Sequence, residues 1–154
     1  KIINSPKQEG ELIYQGKNVM LGYASNLNDL YKDSFLKELC TGDLAYFDED
    51  GYFWITGRKK RFIKIFGNRF NLDDVENFIL NNGIEAAVVG KDDQLVVALE
   101  KHYNCSSDEL IKLISNFYRI HFSAIRVVKI SFIPKNSSGK TQYNKLLKLC
   151  GLDD

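Results

Sequence analysis

The sequence predicts an α+β protein in two parts, a β-rich piece up to about Gly57 and a small α+β domain after it. Three observations carry this reading. GELIYQG (10–16) and DLAYFDEDGYFWITG (43–57) read as strands and tight turns, without helical spacing. After Gly57, short apolar strands alternate with segments whose apolar residues recur every three or four positions. No Pro-, Gly- or Ser-rich linker separates the two, so residues 58–60 read as a hinge inside a compact chain.

In the first part, Leu12 and Tyr14 alternate with other residues between two glycines, and a polar loop follows from Ser25 to Lys37. Asp48-Glu49-Asp50-Gly51 then joins two β-type runs as a hairpin turn. In the second part, RFIKIFGNRFNL (61–72) reads as a short hairpin with Gly67 and Asn68 at its turn. Asn71 caps a helix whose Leu72, Val75 and Ile79 share a face, and Gly83 stops it. IEAAVVG and QLVVALE are strands joined by Lys91-Asp92-Asp93. Ser106 with Glu109 forms a capping box before a helix carrying Leu110, Leu113, Ile114 and Phe117. VVKISFI is a further strand, and a terminal helix starts near Gln142.

Composition narrows the function classes. The chain has 154 residues, 44% hydrophobic and 27% charged, enough to bury a core. A formal net charge of +1 gives no global reason to bind nucleic acid or an anionic membrane. No apolar run approaches the roughly 18 residues of a membrane span, and KIINSPKQEG lacks a signal-peptide core. Cys40, Cys105 and Cys150 are odd in number, widely spaced and without a CxxC, which predicts reduced thiols in a cytoplasmic protein and no metal site. These cysteines, His102 and His121 show no catalytic spacing.

IPKNSSGKTQY (133–143) imitates a phosphate-binding loop. That motif needs a glycine five residues before Gly139, and Pro134 stands there. Proline has no N–H and a fixed φ, so the phosphate cradle cannot form.

Three stretches give Lys140 a different meaning: GELIYQGKNVMLGY (10–23), TGDLAYFDEDGYFWITGRKKRFIKIFGNRFNLDDVE (41–76) and PKNSSGK (134–140). In order and content they resemble the late motifs of the adenylate-forming superfamily, which includes acyl-CoA synthetases, amino-acid adenylation domains and beetle luciferases. The resemblance implies that residues 1–57 are the last strands of the large AMP-binding domain, a distorted barrel. Residues 61–154 would be its mobile C-terminal lid, with a short hairpin, a three-stranded sheet and about three helices. The family's phosphate loop, adenine-binding segment and acyl pocket lie upstream of these motifs, so the chain is expected to be the C-terminal portion of a longer enzyme and inactive alone.

Site roles follow from the resemblance, position by position. Asp43 of TGDL would accept hydrogen bonds from both ribose hydroxyls of ATP or AMP, where a lone Asp beside Gly42 would only form a turn. Arg58 would reach the ribose and phosphate, where RKKR by itself reads as a solvated basic face or a nucleic-acid patch. Lys60 would be the pivot; many amino-acid-activating members carry Asp there, so Lys leans towards a stand-alone acid:thiol ligase. Lys64 and Gly67 of IKIFG would line the path of a pantetheine thiol after the lid rotates. Lys140 would be the adenylation lysine, carried on a flexible loop. The family often has Arg three residues after that lysine, and here Tyr143 stands instead.

The implied activity is ATP- and Mg2+-dependent formation of acyl-AMP from a carboxylic acid. Transfer to coenzyme A or to the phosphopantetheine of an acyl carrier protein would follow. The competing readings are an amino-acid adenylation domain loading a carrier protein, and a non-catalytic lid-type docking module.

Overall fold

The computed structural model of the chain describes residues 2–24, 26–31 and 36–152. Two units emerge, Lys1–Lys60 and Arg61–Asp154.

In the first unit, β1 (Gly10–Tyr14), β2 (Leu39–Phe47) and β3 (Phe53–Arg58) form an antiparallel sheet in the order β1-β2-β3. Asp48 closes the β2–β3 turn. Its carboxylate accepts the N–H groups of Asp50 and Tyr52 and the indole N–H of Trp54 at 2.7 Å. The indole bond leads these donors in holding the Asp48 carboxyl below its usual range. The loop expected from Ser25 to Lys37 lies partly outside the described residues, at 25 and 32–35; its described part contains a single 3-10 turn, Leu27–Tyr31. Leu44 and Ala45 are the buried hydrophobics among the described residues of this unit, while Tyr52, Phe53, Trp54 and Ile55 are each more than half exposed.

The second unit opens with the hairpin β4 (Phe62–Ile65) and β5 (Asn68–Asn71). Then come α1 (Leu72–Asn81), β6 (Ala87–Lys91), β7 (Gln94–Glu100), α2 (Ser107–Tyr118), β8 (Ile125–Ile130) and α3 (Tyr143–Leu149). β6 pairs antiparallel with β7, and β7 pairs parallel with β8, so α2 is the crossover that parallel pairing requires.

β7 is the centre of this unit, and its apolar run QLVVALE is buried on both faces. Leu95, Val97 and Leu99 join a cluster with Val75 and Ile79 of α1 and Leu110 and Ile114 of α2. Val96 and Ala98 face a second cluster with Leu146 of α3 and Cys150. The expected hairpin, three-stranded sheet and three helices are thus all present.

Local signals explain most boundaries. The Asn71 side chain accepts the Asp73 N–H at 3.0 Å at the start of α1, and the Ser106 hydroxyl accepts the Glu109 N–H at 3.5 Å at the start of α2. Three expectations shift. The hairpin loop is Phe66–Gly67, one residue earlier than expected, because Ile65 pairs with Asn68. The third sheet strand runs 125–130 instead of 127–133, starting directly after the 3-10 turn Phe122–Ala124. Phe117 is not core: it is 63% exposed and stacks on Phe78 with ring centroids 4.1 Å apart.

α2 ends on Arg119 at φ 53°, the left-handed region where a Cβ is unfavourable. Arg119→Gly is expected to raise unfolding stability by about 1 kcal/mol; a urea midpoint that stays put or falls would contradict this.

Candidate functional site

Asp43 and Arg58 come together in the first unit. They are Cα partners across β2 and β3, and Arg58 Nε lies 3.0 Å from Asp43 Oδ1. The residues before Asp43 aim it. Thr41 Oγ1 donates to the Leu12 carbonyl at 2.7 Å and accepts the Asp43 N–H at 3.1 Å, while Gly42 takes φ 75°. The side chain of Arg58 is 70% exposed and that of Asp43 is 26% exposed. The bridge uses Nε and one carboxylate oxygen. The second oxygen can still accept from a diol, and the two terminal nitrogens of the guanidinium can still donate to an anion. Beside this pair, Lys59 Nζ binds Glu11 Oε2 at 2.7 Å, and that hydrogen bond raises its pKa. Lys60 is exposed in the 3-10 turn that ends the unit.

Lys64 and Gly67 stand on the β4–β5 hairpin of the second unit, both exposed. The loop residues Phe66 and Gly67 have φ of 48° and 84°, the pattern of a type I′ turn. Glycine adopts this freely; phenylalanine does so only under constraint. The β6–β7 turn supplies the constraint. Asp93 Oδ1 accepts the Phe66 N–H at 2.7 Å, Asp92 Oδ1 accepts the Lys64 N–H at 2.8 Å, and the Asp93 N–H donates to the Lys64 carbonyl at 2.6 Å.

Lys140 stands on a different element, the turn between β8 and α3. Lys135 and Thr141 form a bridge, and the Gln142 N–H donates to the Pro134 carbonyl at 2.8 Å. Inside the turn, Asn136 Oδ1 accepts the Ser138 N–H, the Ser138 hydroxyl and the Lys140 N–H at 3.1, 2.8 and 2.8 Å. The Gly139 N–H donates to the Asn136 carbonyl. A phosphate cradle needs free amides, and these amides are engaged internally. What the turn offers an anion is the exposed Lys140 ammonium. The turn that carries Lys140 is thus knitted along its backbone, with the Lys140 side chain exposed.

Sequence reasoning missed the group beside this turn. Arg61, read as part of a solvated basic run, is 7% exposed. Its Nε binds Asp73 Oδ1 at 2.7 Å, Nη1 binds the Val88 carbonyl at 2.6 Å, and Nη2 binds Glu76 Oε2 at 3.2 Å. Glu76 Oε2 also accepts the Val88 N–H at 2.8 Å. Val88 lies on β6, an edge of the three-stranded sheet, so Arg61 and Glu76 satisfy both of its backbone groups. The Arg61 guanidinium sits 3.8 Å from the centroid of the Tyr143 ring, and the Tyr143 hydroxyl donates to Glu76 Oε1 at 2.8 Å. One signal could have found it: the β4 alternation runs backwards, placing Arg61, Ile63 and Ile65 on the buried side.

Among the described residues no group of three or more His, Cys, Asp or Glu is placed to hold a metal ion, and no helix is long and apolar enough to cross a membrane.

No protein-family model matches the chain. It is 31% identical to 4-coumarate–CoA ligase-like 6 of Arabidopsis thaliana, over 94% of this chain and 27% of that protein. O-succinylbenzoate coenzyme A synthetase (MenE) of Bacillus subtilis, solved with ATP and magnesium ion, superposes with TM-score 0.67 at 27% identity, over 94% of this chain and 32% of that one. McyG A-PCP, solved with phenylalanyl-adenylate, superposes with TM-score 0.67 at 25% identity, over 94% of this chain and 29% of that one. The chain thus spans under a third of each of these proteins.

Burial pushes the Tyr143 hydroxyl up to about 12; the Arg61 cation opposes this and the Glu76 carboxylate adds to it. The folded value lies above the ordinary value of 10.0. Its contribution to stability is therefore complete below that ordinary value and is lost as pH rises through the folded one. Urea unfolding at a series of alkaline pH values should show the wild type losing stability more steeply than Tyr143→Phe. Equal slopes would mean that Tyr143 titrates normally.

Proposed function

Because the chain belongs to the adenylate-forming superfamily and matches its C-terminal portion, we propose that it completes the active site of an ATP-dependent acid:thiol ligase of the acyl-CoA synthetase type. The observation that carries this reading is the exposed Lys140 ammonium on a turn whose backbone amides are already engaged, in a chain that also pairs Asp43 with Arg58. That combination suits one mobile cation meeting a nucleotide held by its ribose, and does not suit a backbone phosphate cradle.

In the first half-reaction the substrate carboxylate attacks the α-phosphorus of ATP. The new C(O)O–P bond forms as the bond to pyrophosphate breaks, giving acyl-AMP. Lys140 bridges the attacking carboxylate and the phosphoryl oxygens, where negative charge is concentrated. Asp43 accepts from the ribose hydroxyls, and the terminal nitrogens of Arg58 donate to the ribose and phosphate side. Magnesium arriving with ATP neutralises the polyphosphate; the described residues of this chain offer it no ligand cluster. In the second half-reaction, rotation about Lys60 brings Lys64 and Gly67 to line the thiol path. The thiol sulfur attacks the acyl carbon, AMP leaves, and the thiol proton is released.

Lys60 leans towards a stand-alone acid:thiol ligase, and the likeness to a CoA ligase-like protein supports coenzyme A as its acceptor. The likeness to McyG A-PCP supports a second reading, an adenylation domain loading a carrier protein. The apolar side chains of Tyr52–Ile55 would be covered by the rest of the enzyme. The free thiols of Cys40, Cys105 and Cys150 fit a cytoplasmic setting.

In the full-length protein, Lys140→Ala should slow acyl-AMP formation about a hundred- to thousandfold, the effect of removing roughly 3–4 kcal/mol of transition-state stabilisation. Thioester formation from supplied acyl-AMP should persist; an equal fall in both steps would sink the two-arrangement mechanism. Lys60→Pro fixes φ at the pivot. It should leave acyl-AMP formation largely intact and stall thioester formation in single-turnover kinetics. Normal thioester formation would move the hinge to another residue, and circular dichroism separates either result from simple unfolding.

A further inference from the structure

In the role proposed above, Lys140 bridges reacting groups, which requires the turn that carries it to be held in position. The turn that carries it has two feet. At the first, the Ile133 N–H donates to Glu100 Oε1 at 2.8 Å, at the end of β7. At the second is Tyr143, the first residue of α3, whose hydroxyl and ring are taken up by Glu76 and Arg61. Those two residues are fixed in turn by Asp73 and by the backbone of Val88. Arg61 directly follows Lys60, so the anchor of the turn is also the first residue beyond the proposed pivot.

The family resemblance leads one to expect a cation at position 143, and here the cation lies under the ring of Tyr143 instead. The guanidinium is buried, and three of its N–H groups serve Asp73, Glu76 and Val88, so it is not available to a phosphate. Its role towards the turn is mechanical.

We propose that Arg61, Glu76 and Tyr143 form a clamp that positions the Lys140 turn for acyl-AMP formation, with Tyr143 as a positioning residue that touches neither substrate nor nucleotide. The proposal rests on the role given to Lys140 above. The two contacts of Tyr143 are separable. Tyr143→Phe keeps the ring under Arg61 and loses the hydrogen bond to Glu76, whereas Tyr143→Ala loses both.

The test has two arms. In the full-length protein, Tyr143→Ala should lower kcat for acyl-AMP formation about tenfold or more with KM for ATP little changed, as expected for lost positioning. Thioester formation from supplied acyl-AMP should stay within about twofold of wild type, and Tyr143→Phe should recover most of the adenylation rate. Wild-type adenylation in Tyr143→Ala, or an equal loss of both half-reactions, overturns the clamp. Lys140→Ala in the same assay separates the two ideas. If Lys140→Ala is slow and Tyr143→Ala is normal, only the clamp fails; if Lys140→Ala is normal, the reading of Lys140 fails first.

The second arm needs no turnover. In the 154-residue chain, backbone order parameters at Ser138, Gly139 and Lys140 should fall from rigid values near about 0.85 to below about 0.6 in Tyr143→Ala, with β7 unchanged. Unchanged values in the turn overturn the clamp irrespective of the assay.

Discussion

A guanidinium withdrawn from water needs a partner for its charge and for its hydrogen atoms, and Arg61 meets that demand from three elements at once. Asp73 and Glu76 come from successive turns of α1, the Val88 carbonyl from the edge of β6, and the Tyr143 ring from the start of α3. Stripping solvent from such an ion costs several kcal/mol, and leaving it unpaired would cost about 3–5 kcal/mol. The contacts therefore act as one condition: α1, β6 and α3 must meet Arg61 together. α1 and α3 pack on opposite faces of the sheet. Their polar link passes around the β6 edge and closes backbone groups that an open strand would leave to water.

The two loops carrying the candidate residues of the second unit follow a shared principle. In the β4–β5 hairpin, carboxylates from a neighbouring turn receive the loop amides; in the Lys140 turn, the amide oxygen of Asn136 does so. Each loop is fixed by short polar side chains of its own unit. Pre-shaped loops are what the proposed rotation about Lys60 requires, since the loops would then travel with their unit and need not reorganise on arrival. The strained Phe66 belongs to the same economy: its left-handed backbone persists because Asp93 holds its N–H.

Where the determinants are local, the sequence is transparent. Asn71 with Leu72, Val75 and Ile79 announces α1, because a cap and a 3.6-residue period need only neighbouring residues. The buried β7 is equally plain as an unbroken apolar run. The Phe66–Gly67 loop is displaced by one residue because register is decided by which isoleucines face the core, so Ile63 and Ile65 outweigh the turn preference of Gly67-Asn68. Asp43 and Arg58 are each legible as motif residues, but their ion pair follows from strand register. Tyr143 stands out in sequence only as a departure from a pattern; its hydroxyl partner Glu76 is 67 residues away, beyond any local reading. Arg61 was obscured by its neighbours: three bases around it are exposed and it alone of RKKR is not.

The outer strand of the first unit has a further consequence. β3 lies at the margin of its sheet, and it begins with Phe53, Trp54 and Ile55, which project to alternate faces and remain largely in water, preceded by an exposed Tyr52. A marginal strand that is aromatic, β-branched and uncharged over this length is a template for intermolecular cross-strand addition. Cover over this strand would act as its chaperone. Left uncovered, these four adjacent side chains would favour association between copies of the chain, however well packed the second unit is.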